Sequence, residues 1–309
     1  MLLKIFSFLS LACSTSAQFV KGFNTGNTNA QGACRYQNDF TTLFNQAKNL
    51  PDAGGFASAR LYTMIQCGTL NEPIQAIQSA IDTDTKLLLG LWASAGREAF
   101  NEEMNVLMRA ISQYGDAFTS RVVGVSIGSE DLYRSSSQGV KNNAGVGEKA
   151  EVIAGYIGWA RDWLRGTALE RTPLGHVDTW TAWVLPENKQ VIEAVDVLGH
   201  NSFPYWESTL DNNISNAANI FWSALDRTEG VAQGKPVWVT ETGYPHRGPN
   251  SGYAVANAQN ARQYYAAVGC ELFKQRNTFW YTLENANTAQ TDLSFAVNEN
   301  GNVQYDLSC

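Results

Sequence analysis

Eight short apolar runs recur along the 309 residues, each separated from the next by a longer stretch with helical spacing. They begin at Phe19 (FVKGFNTG), Ser58 (SARLYTM), Lys86 (KLLLGLWA), Arg121 (RVVGVSIGSE), His176 (HVDTWTAWV), Ala194 (AVDVLGHNSFPY), Pro236 (PVWVTETGYP) and Asn277 (NTFWYTLENA). Strands alternating with helices form parallel sheets, because a parallel neighbour is reached only through a crossover. Eight such units are the number that closes a (β/α)8 TIM barrel, and the expected fold class is α/β, with residues 18–309 as a single domain. In the long segment before Arg121, Met104, Leu107, Met108, Ile111 and Tyr114 recur at three- and four-residue steps, which predicts a helix packing one apolar stripe onto the sheet. The link PENKQVIEA is the least regular unit. An open doubly wound sheet would be expected to carry a phosphate loop, and GFNTGNTNAQG lacks that glycine spacing.

In a barrel of this kind chemistry sits where strands end at the carboxyl face. Two apolar runs end on a glutamate there: VVGVSIGSE on Glu130 and VWVTE on Glu241. A strand-end acid is commonly a helix cap or a solvated charge. Here Asp131 is the better cap after Glu130, and Glu241 runs into the turn TGYP rather than into a helix. Strands four and seven would face each other across the barrel mouth. Paired Asp/Glu side chains are what glycoside hydrolysis requires, one protonated to donate to the leaving oxygen and one ionised to attack or to activate water. No cofactor and no metal is expected.

The motifs VVGVSIGSEDLYR and VWVTETGYP, with RLYT at 60–63 and LLLGLWA at 87–93, resemble glycoside hydrolase family 17, the β-1,3-glucanases and glucanosyltransferases of plants and fungi. The resemblance covers essentially the whole chain after the leader. It implies a retaining mechanism with Glu130 as acid/base and Glu241 as nucleophile, and β-1,3-glucan as the partner. Ser129 stands before the acid, where many related barrels have Asn. The last strand ends FWYTLENAN, which puts Glu284 forward as a binding residue.

Arg60 lies inside an apolar run, and a buried arginine needs an anion; pairing with ionised Glu241 would supply one. Surface snorkelling is the competing account of this arginine. Sugar rings have apolar faces that stack on aromatic side chains. Trp92, Tyr133, Trp180, Trp183, Tyr205, Trp206, Tyr244 and Trp280 are placed at strand ends as candidates, whereas Trp159, Trp163 and Trp222 fall on helices and read as packing. NSFPYWES resembles the family's sixth-strand motif, which implies Tyr205 near the nucleophile, with Asn201 or His200 close by. Short connections after strands one, five and seven, and one moderate insertion, RSSSQGVKNNAGVG, predict an open groove and endo action. The leading expectation is an endo-β-1,3-glucanase. A glucanosyltransferase on the same site, and a non-catalytic carbohydrate-binding wall protein, are the alternatives.

The opening MLLKIFSFLSLACSTSAQF has an early lysine, a short apolar stretch and small residues at Thr15 and Ala17, the pattern of a secretory signal cleaved after Ala17. The apolar stretch is too short for a membrane span of roughly 20 residues. Secretion to the extracellular space or cell wall is therefore expected. Four cysteines follow, Cys34, Cys67, Cys270 and Cys309, which predict two disulfides; pairing neighbours, Cys34 with Cys67 and Cys270 with Cys309, closes the shorter loops. A zinc site is disfavoured because His176, His200 and His246 are scattered. Asn213-Ile214-Ser215 is a glycosylation sequon. The formal charge of −7 and the absence of a Lys/Arg cluster argue against nucleic acid as a partner. A monomer is expected.

Overall fold

The computed structural model describes residues 19–286 and 292–309. The expected signal segment, residues 1–17, lies outside them. Runs buried on both faces become parallel strands: β1 Lys21–Asn24, β2 Ser58–Arg60, β3 Lys86–Leu91, β4 Val122–Ser129, β5 Leu174–Thr179, β6 Val197–Asn201, β7 Val237–Thr242 and β8 Thr278–Trp280. They pair in sequence order, and β1 closes on β8 through Lys21–Thr278, Gly22–Phe279 and Phe23–Trp280. The result is the expected eight-stranded barrel in one domain. Leu87, Leu88, Leu89 and Leu91 of β3 are all buried, which explains why this strand reads as a continuous apolar run rather than an alternating one. Gly90 is required there because a Cβ would lie 2.2 Å from the Leu61 carbonyl oxygen.

Helices Gln37–Lys48, Ala76–Thr83, Arg97–Thr119, Ala150–Leu164 and Ile214–Val231 cover the outer face. The stripe on Arg97–Thr119 buries Met104 and Leu107, with Met108, Ile111 and Tyr114 packed partly exposed at its edge. After β5 the helical segments are all short, the longest being Lys189–Ala194, as PENKQVIEA suggests. After β8 the described residues form a hairpin, Asn298–Glu299 with Asn302–Val303, instead of a helix. Cys34 bonds Cys67 and Cys270 bonds Cys309.

Two departures from the sequence reading bear on the site. The run starting at His176 stops being a strand at Thr179, whose side chain caps a short helix, Trp180–Trp183, by accepting from the Ala182 N–H. Both tryptophans of that run therefore stand on a helix and not at a strand end. Extra residues also interrupt the ladders. Between the pairs Ser126–Gly175 and Ser129–Val177, β4 advances three residues while β5 advances two. Between His200–Val239 and Asn201–Glu241, β7 advances two residues while β6 advances one. Each bulge lies just ahead of a strand-end glutamate, where an added residue twists the strand and re-aims its side chains.

Candidate active site

Arg60 is the last residue of β2, and Tyr62 lies two residues on, in the segment that leaves the strand. Arg60 is 1% exposed, and its guanidinium donates to Glu241 Oε1 at 2.5 Å, Asn24 Oδ1 at 2.8 Å and Ser129 Oγ at 2.9 Å. The Tyr62 hydroxyl donates to the same Glu241 Oε1 at 2.9 Å. Asn24 is fixed in turn by donating from Nδ2 to the carbonyls of Thr240 and Phe279 at 2.9 and 3.0 Å. Side chains from β1, β2, β4 and β7 thus meet at one guanidinium. Burial, and then the Glu241 charge, holds the Tyr62 hydroxyl well above the usual tyrosine range, so it remains a proton-bearing donor. Snorkelling to solvent does not fit the burial of Arg60.

Because this ion pair is buried, losing one partner strands the other. Arg60→Met is expected to cost about 3–5 kcal/mol of stability. Thermal unfolding measures this, and an unchanged Tm would contradict the burial of the pair.

Glu130 takes a left-handed backbone (φ 60°) and donates its N–H to the Val177 carbonyl at 2.7 Å. Its Oε1 accepts from Asn201 Nδ2 at 3.0 Å, and Asn201 Oδ1 accepts from the Thr240 hydroxyl at 2.9 Å, so the amide orientation is set from both ends. Burial, followed by the charge of Glu241, pushes the Glu130 carboxyl up to about 7 against the opposing Asn201 hydrogen bond. The two glutamates therefore feel one another and have unlike surroundings: one is desolvated beside an amide, the other is paired with a guanidinium.

The turn carrying Glu130 rests on buried polar side chains. Asp131 accepts from the Ser129 N–H at 2.8 Å and from Ser94 Oγ at 2.5 Å. Asp178 accepts from the N–H groups of Leu132 and Thr179 at 2.9 and 2.7 Å. Fully buried His176 places Nδ1 2.6 Å from the Ile127 carbonyl and Nε2 2.9 Å from Asp178 Oδ2. Both neighbours offer acceptor oxygens, an arrangement that favours the doubly protonated ring. Burial opposes this charge, yet the Asp178 hydrogen bond and charge outweigh it and raise the histidine's pKa.

The aromatic candidates divide. Tyr205, Tyr244 and Trp280 are fully buried. Tyr205 packs edge-on against Tyr244 and Phe295 and donates its hydroxyl to the Pro249 carbonyl, and it hydrogen-bonds neither glutamate. Tyr62 occupies the place beside Glu241 that the sequence reading assigned to Tyr205. The Trp280 indole N–H reaches the Tyr305 hydroxyl at 3.3 Å in the outer core. Trp180 donates to Glu207 at 2.8 Å, the Tyr133 hydroxyl accepts from Asn142 at 2.9 Å, and Glu284 accepts from Arg35 at 3.3 Å, tying the end of β8 to the loop after β1. His200 faces outward to Thr228 at 2.9 Å, and burial depresses its pKa to about 3. Asn213 is exposed and caps the helix Ile214–Val231.

Sequence reasoning missed Asn24, Tyr62 and Thr240. It also missed Tyr281, whose hydroxyl is held above its ordinary range by burial and then by the charges of both glutamates. For Tyr62 a signal existed, the two-residue spacing from Arg60. Beyond Tyr62 a cleft of about 770 Å³ opens between the segments after β2 and β3, walled by Tyr62, Ile65, Leu70, Trp92 and Glu102.

The family profile described as the BtgE/BtgC glycoside hydrolase domain matches residues 22–300. The chain belongs to this family. Among curated relatives of this BtgE/BtgC-type domain is the "Probable glucan endo-1,3-beta-glucosidase eglC" of Aspergillus fumigatus, 49% identical over 97% of the chain and 68% of the relative. The Aspergillus oryzae protein of the same name is 48% identical, and 65% of its length is matched. The chain thus spans about two thirds of the length of these relatives. The fold is similar to a "glycoside hydrolase family 17 beta-1,3-glucanosyltransferase from Rhizomucor miehei", with a TM-score of 0.71 and 22% identity over 93% of this chain and 98% of that one.

Proposed function

We propose that this BtgE/BtgC-type domain is a retaining glycoside hydrolase of the family 17 type that cleaves internal bonds of β-1,3-glucan. The observation that carries this reading is the unlike setting of the two strand-end glutamates. Glu130, with its proton retained toward neutral pH, would donate to the glycosidic oxygen as the bond to the anomeric carbon breaks. Glu241 would attack that carbon, forming a glycosyl ester. Its Oε1 already accepts from Arg60 and Tyr62, and these donors orient the attacking group. Glu130, now ionised, would take a proton from water as the water displaces Glu241. Two displacements at one carbon give net retention.

The names of the curated relatives support β-1,3-glucan as substrate. The cleft beside Tyr62, with Trp92 in its wall, offers room and an aromatic face for sugar rings next to Glu241. The four paired cysteines fit an oxidising compartment. Export led by residues 1–17, with glycosylation at exposed Asn213, completes the reading.

The test is product analysis on laminarin-type β-1,3-glucan, with the anomer followed by NMR. Mixed internal fragments bearing the β-anomer first are expected; early α-anomer would overturn retention, and glucose alone would overturn endo action. Raising the oligosaccharide concentration addresses the second reading, in which a sugar hydroxyl replaces water at the same ester. Products longer than the substrate would make the domain a glucanosyltransferase.

A further inference from the structure

The helix Arg97–Thr119 carries a buried carboxylate that the proposed chemistry does not use. Glu103 is 3% exposed, and among the described residues no cationic side chain compensates it. Its partners all lie in segments that leave the barrel at the candidate site. Oε1 accepts from the Thr63 hydroxyl, and Oε2 accepts from the Met64 N–H at 2.7 Å. The Trp92 N–H lies close enough to favour its ionised form. Thr63 and Met64 directly follow Tyr62.

We infer that Glu103 is a positioning residue: by holding Thr63 and Met64 it fixes the chain after β2 and so keeps the Tyr62 hydroxyl on Glu241 Oε1. The inference rests on the assignment of Glu241 as nucleophile. Tyr62 has few other restraints. Its side chain is partly buried at the cleft with the Arg60 guanidinium 4.5 Å from the ring, and its hydroxyl is shared between Glu241 and Asn24 at 2.9 and 3.2 Å. The loop beyond it runs out to Leu70, which is 87% exposed, before Ile74 returns to bond the Met64 carbonyl at 2.8 Å. The Cys34–Cys67 disulfide holds the far side of this loop. Glu103 holds the near side, next to the tyrosine.

Donors approach both oxygens, so an apolar side chain of similar size in this place leaves the Thr63 hydroxyl and the Met64 N–H without their partner. Burial pushes the Glu103 carboxyl up to about 7, opposed by these hydrogen bonds. A proton gained on Oε1 is tolerated because the Thr63 hydroxyl can reverse and accept it, while that same oxygen continues to accept from the Ile65 N–H at 3.0 Å. The clasp therefore persists in either protonation state.

The test is a double-mutant cycle read in kcat on laminarin, with Tyr62→Phe and Glu103→Leu made singly and together, and melting curves recorded for each. Each single change is expected to lower kcat on the order of tenfold, since small misplacements at a reacting group carry large rate penalties. The double variant is expected to lie within about twofold of the slower single one, as changes acting through one contact do not multiply. Losses that multiply to about a hundredfold, or a wild-type kcat in Glu103→Leu, would overturn the inference. If the melting curve shows Glu103→Leu unfolded, Thr63→Val replaces it in the same cycle, where non-multiplying losses again support the clasp and multiplying losses again overturn it. Failure of the functional reading looks different: the unaltered protein would then not hydrolyse laminarin at all.

Discussion

Glu241→Gln is expected to abolish hydrolysis of β-1,3-glucan, lowering kcat on the order of 10⁴-fold or more, the scale of losing a nucleophile. The fold should survive. The atom that accepts from Arg60 and Tyr62 is Oε1, and an amide oxygen in that place accepts from both donors. What disappears is the ability to form an ester at the anomeric carbon. Binding of laminari-oligosaccharides, measured by calorimetry, is expected to stay near that of the unaltered protein, because the cleft walls are untouched. Turnover within tenfold of wild type would sink the assignment. Loss of turnover with binding kept also separates an enzyme from a wall-binding protein that needs no carboxylates.

Glu130→Gln is expected to lose about 10²–10⁴-fold in kcat on glucan, the range of general acid catalysis. On an aryl glycoside whose leaving group departs without a proton, formation of the glycosyl ester should be far less affected. The pH dependence supplies a second signature. Glu130 must be protonated to act as an acid, and its pKa lies at about 7, so kcat/KM should fall as pH rises through that value. In Glu130→Gln that alkaline limb should vanish; its persistence would assign the titration to another group. The sign of the coupling is also fixed. The Glu241 charge is the second cause of the raised value after burial, so Glu241→Gln should lower the Glu130 pKa, as carboxyl NMR in the folded variant can show.

Much of this is legible in the amino-acid sequence alone. An arginine in an apolar run has to find an anion, and Arg60 finds Glu241. Eight alternating units imply the barrel, and adjacent cysteines pair. What fails is the inference from strand-end position to direction. Tyr205, Tyr244 and Trp280 do lie near strand ends, but each is turned into packing behind the site. Chain position gives height along the barrel, whereas face depends on register. Nor does His176 look significant among three scattered histidines. Its meaning comes from Ile127 and Asp178 on either side of its ring, and one of those contacts is backbone, which no side-chain pattern reveals. Tyr62 is overlooked for a simpler reason: attention to the charged residue passes over its neighbour two places on.

The extra residue ahead of each glutamate has a consequence for anyone rebuilding this chemistry. In a regular strand Thr240 and Glu241 would point to opposite sides, yet Thr240 reaches Asn201 and Glu241 reaches Arg60, both within the mouth. An idealised barrel carrying the same residues on unbroken ladders would present one member of each such pair to its helices. Transplanting the site therefore means transplanting the irregularities of β4 and β7 first, with the glutamates added to a backbone already bent to receive them.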